Sequence, residues 1–216
     1  MTGTDDDVER GSTGGWWEPG DVDFFDRVAR LYDRLAPETD PEPLWAGLAR
    51  GDRPVERVLD LAGGTGRAAR AVSRPGVAGE RTPTAVVVDA SRPMLRRAVR
   101  QGSTGIQGDA GGLPVRDDAV DAVVVLDAFH HLPDPEAALA EAARVLRPGG
   151  VLVIREFDPR TIRGRALVAA ERLVGFDSTF RGPEATAAAV AAAGLAPSVL
   201  DRGFAFTVVG KKRGSH

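Results

Sequence analysis

A chain of 216 residues with 43% apolar content can close one sizeable α/β core and is short for two. Its 31 acidic and 28 basic side chains are interspersed, for a formal charge of -3, so no basic stripe exists to make nucleic acid a partner. Cysteine is absent, which removes disulfides, thiolate metal sites and cysteine nucleophiles; with three histidines, one of them His216, a protein-built zinc site is not expected. No run approaches the roughly 18 apolar residues of a membrane span, and Asp5, Asp6 and Asp7 stand where a signal peptide needs positive charge. A cytoplasmic protein without an integral membrane segment is the expectation.

Residues 1–20, rich in glycine, threonine and aspartate, predict a disordered tail interrupted by Trp16 and Trp17, ahead of a single domain over 21–213. Phe24, Val28, Leu31 and Leu35 fall on one helical face, and Pro37 ends that helix. A short helix follows Pro43 through Leu44, Trp45 and Leu48. Strands and helices then alternate: strand Val55 to Leu61, helix Thr65 to Ser73, strand Thr84 to Val88, helix Arg92 to Arg100, strand Thr104 to Gln107 and strand Val120 to Leu126. Asp134 is placed to cap the next helix and Pro135 opens it; Leu139, Ala142, Ala143 and Leu146 form its buried stripe, with Arg144 and Arg147 at its carboxyl end. Pro148-Gly149-Gly150 predicts a turn into strand Val151 to Arg155. An alanine-rich helix, Glu184 to Ala193, ends at Gly194, and strands near Pro197 to Asp201 and Phe204 to Val209 close as a hairpin. The pattern predicts an α/β fold: a doubly wound, mostly parallel seven-stranded sheet with an antiparallel carboxyl-terminal hairpin and helices on both faces.

The first strand runs into Asp60-Leu-Ala62-Gly63-Gly64-Thr65-Gly66. Glycines in a strand-to-helix turn allow positive φ and a close approach of backbone to ligand. Gly64 to Ala69 also satisfies the dinucleotide fingerprint, but an acid at the mouth of the turn repels pyrophosphate and attracts an ammonium or sulfonium group. S-adenosylmethionine has that character. Asp89 ends strand two, where a carboxylate accepts from both ribose hydroxyls; a helix cap is the other reading, and Ser91 can cap equally well. Asp109, in Gln107-Gly108-Asp109-Ala110, can accept from an amine or close a turn. Asp127, Ala128, Phe129, His130 and His131 follow strand four, at the strand end where open α/β sheets bind ligands.

These segments resemble the motifs of the Rossmann-like S-adenosylmethionine-dependent methyltransferases over roughly residues 24 to 210: the glycine turn, Val86 to Leu95, and Gln107 to Ala110 with Leu113-Pro114. Phe24 to Asp33, Leu61 to Gly66, Arg144 to Gly150, Glu156-Phe157 and Phe204 to Lys211 are similar to the ubiquinone and menaquinone biosynthesis C-methyltransferases. The resemblance implies S-adenosyl-L-methionine as cofactor, held by Tyr32, Asp60, Ala62, Gly63, Gly64, Thr65, Gly66, Asp89, Ala90, Met94, Asp109, Ala110, Asp127 and Ala128. It implies a small-molecule methyl acceptor, such as a quinol or phenolic ring, and leaves peripheral membrane contact open. The chain departs from that branch at Phe129-His-His131 and in a short segment between Phe157 and Glu184. The 29 residues from Asp60 to Asp89 (89 − 60) exceed the usual spacing of about 20, which a surface insertion over Pro75 to Pro83 explains. His130 is the candidate catalytic base; a substrate hydrogen-bond donor or a satisfied structural residue are its other readings. A catalytically silent cofactor-binding module and a nicotinamide-dependent oxidoreductase are the alternatives, separable by an activity assay and by thermal shifts with the two cofactors.

Overall fold

The computed structural model describes residues 39–74, 82–173 and 178–214. The expected tail, Trp16, Trp17, the helix from Phe24 with Tyr32, and most of the Pro75 to Pro83 insertion lie outside the described residues. Along the chain the elements are α1 (Glu42–Leu48), β1 (Arg57–Leu61), α2 (Arg67–Val72), β2 (Thr84–Asp89), α3 (Arg92–Arg100), β3 (Thr104–Gln107), β4 (Val120–Leu126) and a 3-10 turn (Phe129–His131). They continue with α4 (Pro135–Val145), β5 (Leu146–Phe157), α5 (Ile162–Leu173), α6 (Pro183–Ala192), β6 (Ala196–Asp201) and β7 (Ala205–Lys211).

The seven strands form one sheet in the order β3-β2-β1-β4-β5-β7-β6, parallel except that β7 runs antiparallel to both β5 and β6. Strand order reverses between β1 and β4, and that switch point opens a crevice at their carboxyl ends. Alternation along the strands divides the core. Val58, Ala122, Val124, Val151 and Val153 pack with Leu44 and Leu48 of α1 and with Ala71 and Val72 of α2. Leu59, Leu61, Val123, Val125, Leu152 and Ile154 pack with Leu139 and Val145 of α4 and Val190 of α6. Helices on both faces explain why β4 reads as an apolar run broken only by Asp121.

One buried acid ties the central strands together. Asp121, wholly buried in β4, accepts from the amides of Glu56 and Arg57 at 3.0 and 2.9 Å and pairs with Arg53 and Arg147 at 2.8 and 3.0 Å. Burial alone would raise its pKa; the two amides and two guanidiniums outweigh it and hold the carboxyl below its ordinary value. Its contribution to stability is therefore present above the unfolded pKa and is lost as pH falls through the folded one. Asp121→Ala is expected to cost about 3–5 kcal/mol, because it strands two guanidiniums and two amides; equilibrium urea unfolding measures it.

Arg144 stands in the last turn of α4 as expected and also binds Glu141, Asp117 and the carbonyls of Leu113 and Val115, whereas Arg147 lies beyond the helix in β5 and binds Asp121 and the Asp118 carbonyl. Pro148-Gly149-Gly150 lies within β5, because Lys212 clasps it: the Gly149 amide donates to the Lys212 carbonyl at 2.9 Å, and the Lys212 amide to that of Gly150 at 3.0 Å. Helix α5 is new. Ile162, Ala166, Ala169 and Leu173 are exposed together with Arg163, Arg165 and Arg172, Leu167 and Val168 are half-buried and Gly164 is buried, so no buried apolar stripe marks this helix in the sequence.

Candidate functional site

The glycine turn closes β1, and its three glycines do different work. A Cβ on Gly63 would lie 2.4 Å from Asp60 Cγ, and one on Gly66 would meet Ser103 Oγ at 2.9 Å. Those positions are small so that the turn can seat on β1 and on the base of α3. Gly64 alone faces open space, with φ +55° and its would-be Cβ 4.0 Å from Asp89 Oδ2. Gly63 is not left-handed; Ala62, at φ 52°, takes that conformation in its place. Asp127 ends β4 at φ 51°, so both central strands terminate in a non-glycine left-handed residue at the switch point.

All three glycine amides are occupied. Gly63 donates to the Val88 carbonyl at 3.3 Å, Gly64 to Asp89 Oδ2 at 2.7 Å, and Gly66 to the Gly63 carbonyl at 2.8 Å. A pyrophosphate loop instead aims such amides at its ligand. Asp89 Oδ1 accepts from the Ser91 amide at 2.8 Å, so backbone fixes the carboxylate at the rim, and Ser91 is the residue that caps α3, at Met94 N.

Asp60 does not stand at the mouth facing outward. It is wholly buried beneath the turn, where Oδ2 accepts from the Ala69 amide at 2.8 Å and Oδ1 has no hydrogen-bond partner. Burial pushes this carboxyl up to about 7, against the Ala69 amide and the positive charge of Arg70 and Arg67. Arg67 also pairs with Asp127 at 3.2 Å; burial raises the Asp127 carboxyl as well. Across the crevice, Asp109 closes its own turn by accepting from the Gly111 amide at 2.9 Å. Glu141 and Arg144 pin the adjoining loop through Leu113. Ala62, Thr65, Ala90, Ala110 and Ala128 belong to these same turns, Met94 is buried in the first turn of α3, and Thr65 Oγ1 is buried without a hydrogen-bond partner. Tyr32 lies outside the described residues.

His130 is 4% exposed on the turn after β4. Its Nδ1 lies 2.6 Å from Glu156 Oε2, its Nε2 lies 3.5 Å from Glu171 Oε1, and its ring stacks on Phe180 at 4.1 Å. Burial alone would favour the neutral ring, but the facing carboxylates outweigh it and raise the pKa to about 9. Both carboxylates thus favour a proton on this ring. His131 is pushed down to about 3 by burial and by the charge on His130, and its Nδ1 lies 3.1 Å from Ser178 Oγ. Glu171, Ser178 and Phe180 escape sequence reasoning: Glu171 comes 40 residues after His131 (171 − 131), on a helix without a buried apolar stripe.

Residues 59–154, from β1 through most of β5, match the family model described as a methyltransferase domain. Over those residues the chain matches the methyltransferase family. The demethylmenaquinone methyltransferase of Mycolicibacterium paratuberculosis is 37% identical over 145 residues, 64% of this chain and 60% of that protein; the one of Renibacterium salmoninarum is 34% identical over 163 residues, 69% of this chain and 66% of that protein. The chain thus spans less than two thirds of these relatives' length. Among solved structures, an S-adenosylmethionine-dependent methyltransferase from Thermotoga maritima superposes with a TM-score of 0.71 at 21% identity, covering 89% of this chain and 99% of that one. At that identity the likeness establishes the fold: the seven-stranded sheet and reversed closing hairpin of this family.

Proposed function

We propose that the chain transfers a methyl group from S-adenosylmethionine to a small acceptor, with a quinol or phenolic ring carbon as the acceptor class. What carries the reading is the pairing of Asp60 and Asp89 around a glycine turn whose amides are already spent. Two carboxylates there oppose a pyrophosphate and suit a cationic nucleoside. The residues fit that cofactor: open space lies in front of Gly64 beside Asp89, and the buried Oδ1 of Asp60 lacks a partner. Asp89 would hold the ribose, Asp109 the adenine amino group, and Asp60 with Asp127 would set the negative potential for the methionine end.

Bound there, the cofactor supplies an electrophilic methyl on a sulfonium. The chain's own task is alignment: holding the acceptor in line about 3 Å from the methyl carbon and keeping water away. Phe129 and Phe180 supply an apolar, water-poor wall at the end of β4. The demethylmenaquinone methyltransferases favour a quinol among acceptors, and the exposed apolar stripe of α5 supports presentation of that acceptor at a membrane surface. Among the described residues no helix is long and apolar enough to cross a membrane.

Incubation with heavy-methyl S-adenosylmethionine and panels of quinols and phenols tests this by mass spectrometry. A methylated quinol is the expected product. Cofactor binding with no product from either panel would make the chain a silent binding module.

A further inference from the structure

Beyond the cofactor crevice, one buried cluster has no part in the reading above. His130 and His131 on the turn after β4, and Glu171 on α5, each bring a donor atom within 4.8 Å of the others. His130 is oriented from behind. Glu156 Oε2 meets Nδ1 at 2.6 Å and also accepts the His130 amide at 3.3 Å, while Oε1 accepts the Phe157 amide at 2.8 Å. A carboxylate so fixed keeps a proton on Nδ1, so the Nε2 proton, facing Glu171, is the one a bound metal ion would displace. This is the carboxylate-histidine arrangement that sets up a metal ligand.

Two atoms in that space lack hydrogen-bond partners although buried, His130 Nε2 and Glu171 Oε2. Nε2 and Glu171 Oε1 are 3.5 Å apart, close to the ligand-ligand edge of about 3.4 Å expected for a tetrahedral ion with bonds near 2.1 Å. Ser178 bonds both His131 and Glu171, steadying the other two donors. Charge points the same way. Glu156 and Glu171 place two carboxylates against His130 at a buried site, and a divalent cation with two neutral imidazoles balances them to zero.

We propose that His130, His131 and Glu171 form a binding site for a divalent transition metal, zinc fitting the two-nitrogen, one-oxygen donor set best, with a fourth position open to water or a ligand oxygen. Three protein ligands and one open position are the pattern of a reactive rather than a structural zinc. The expectation that the chain builds no zinc site is revised accordingly. The inference stands apart from methyl transfer, since it concerns only what the apoprotein binds.

The test is titration of the chelator-stripped full chain with Co²⁺, followed by its visible absorption bands, with Zn²⁺ as competitor. One saturable equivalent is expected, displaced by Zn²⁺. Glu171→Gln and His131→Ala should each abolish it, and Glu156→Gln should weaken it about 10–100-fold, while His216→Ala leaves it unchanged. The conservative Glu171→Gln preserves shape, and unchanged near-ultraviolet circular dichroism would show that the variants stay folded. Absence of a saturable cobalt spectrum, or binding that survives Glu171→Gln and His131→Ala, would overturn the site and leave a proton between His130 and its carboxylates.

Discussion

Asp89→Ala raises the dissociation constant for S-adenosylmethionine by about 100-fold or more while leaving the fold intact. Each hydrogen bond from a ribose hydroxyl to a carboxylate contributes about 1.5–3 kcal/mol, so losing two removes at least about 3 kcal/mol, roughly two decades in affinity. The structural cost is small: the carboxylate is only partly buried, and the amides of Gly64 and Ser91 that it accepts lie at the rim. Isothermal titration calorimetry gives the affinity and thermal unfolding the control. An unchanged dissociation constant would remove Asp89 from the ribose site.

Asp60→Asn should stabilise the apoprotein at pH 8 and weaken cofactor binding at the same pH. The folded carboxyl titrates near 7 because burial disfavours its charge, against a model value of 3.8. A folded pKa above the unfolded one means that the native state binds the proton more tightly, so stability is greatest below about pH 4 and falls as pH rises toward 7. At pH 8 the wild-type protein carries the whole cost, up to about 4 kcal/mol at 1.36 kcal/mol per unit of pKa. Asparagine keeps an acceptor for the Ala69 amide without the charge. Urea unfolding at pH 5 and pH 8 should show a gain for the variant that grows with pH, while the same substitution removes the charge that draws a cationic ligand. A gain independent of pH between 5 and 8 would show that Asp60 is already ionised at pH 5 in the folded protein and that burial does not raise its pKa.

Much of this was legible because local rules and tertiary structure agree. Helix α3 and strands β3 and β4 run between the residues that periodicity marks, and Asp134 caps α4 by accepting from Ala137 N at 2.8 Å, as its place before Pro135 suggests. The order of strands and the glycine turn located the crevice. What sequence could not give was direction and distance. Asp60 occupies the expected position but points inward, because Gly63 leaves no atom between it and the turn. Pro148-Gly149-Gly150 reads as a turn until Lys212, 62 residues after Gly150 (212 − 150), draws it into the sheet. Helix α5 hides because no buried apolar stripe marks it, and with it hid Glu171, which joins Glu156 against His130.

The most direct measurement is a crystal structure with S-adenosylhomocysteine. The ribose hydroxyls should lie within about 3 Å of the Asp89 carboxylate, the adenine amino group beside Asp109, and the amino acid end over Gly64 above Asp60. A crevice left empty at saturating ligand, or a nicotinamide dinucleotide bound there with its pyrophosphate on the glycine turn, would contradict the claim that this turn holds a cationic nucleoside between two acids.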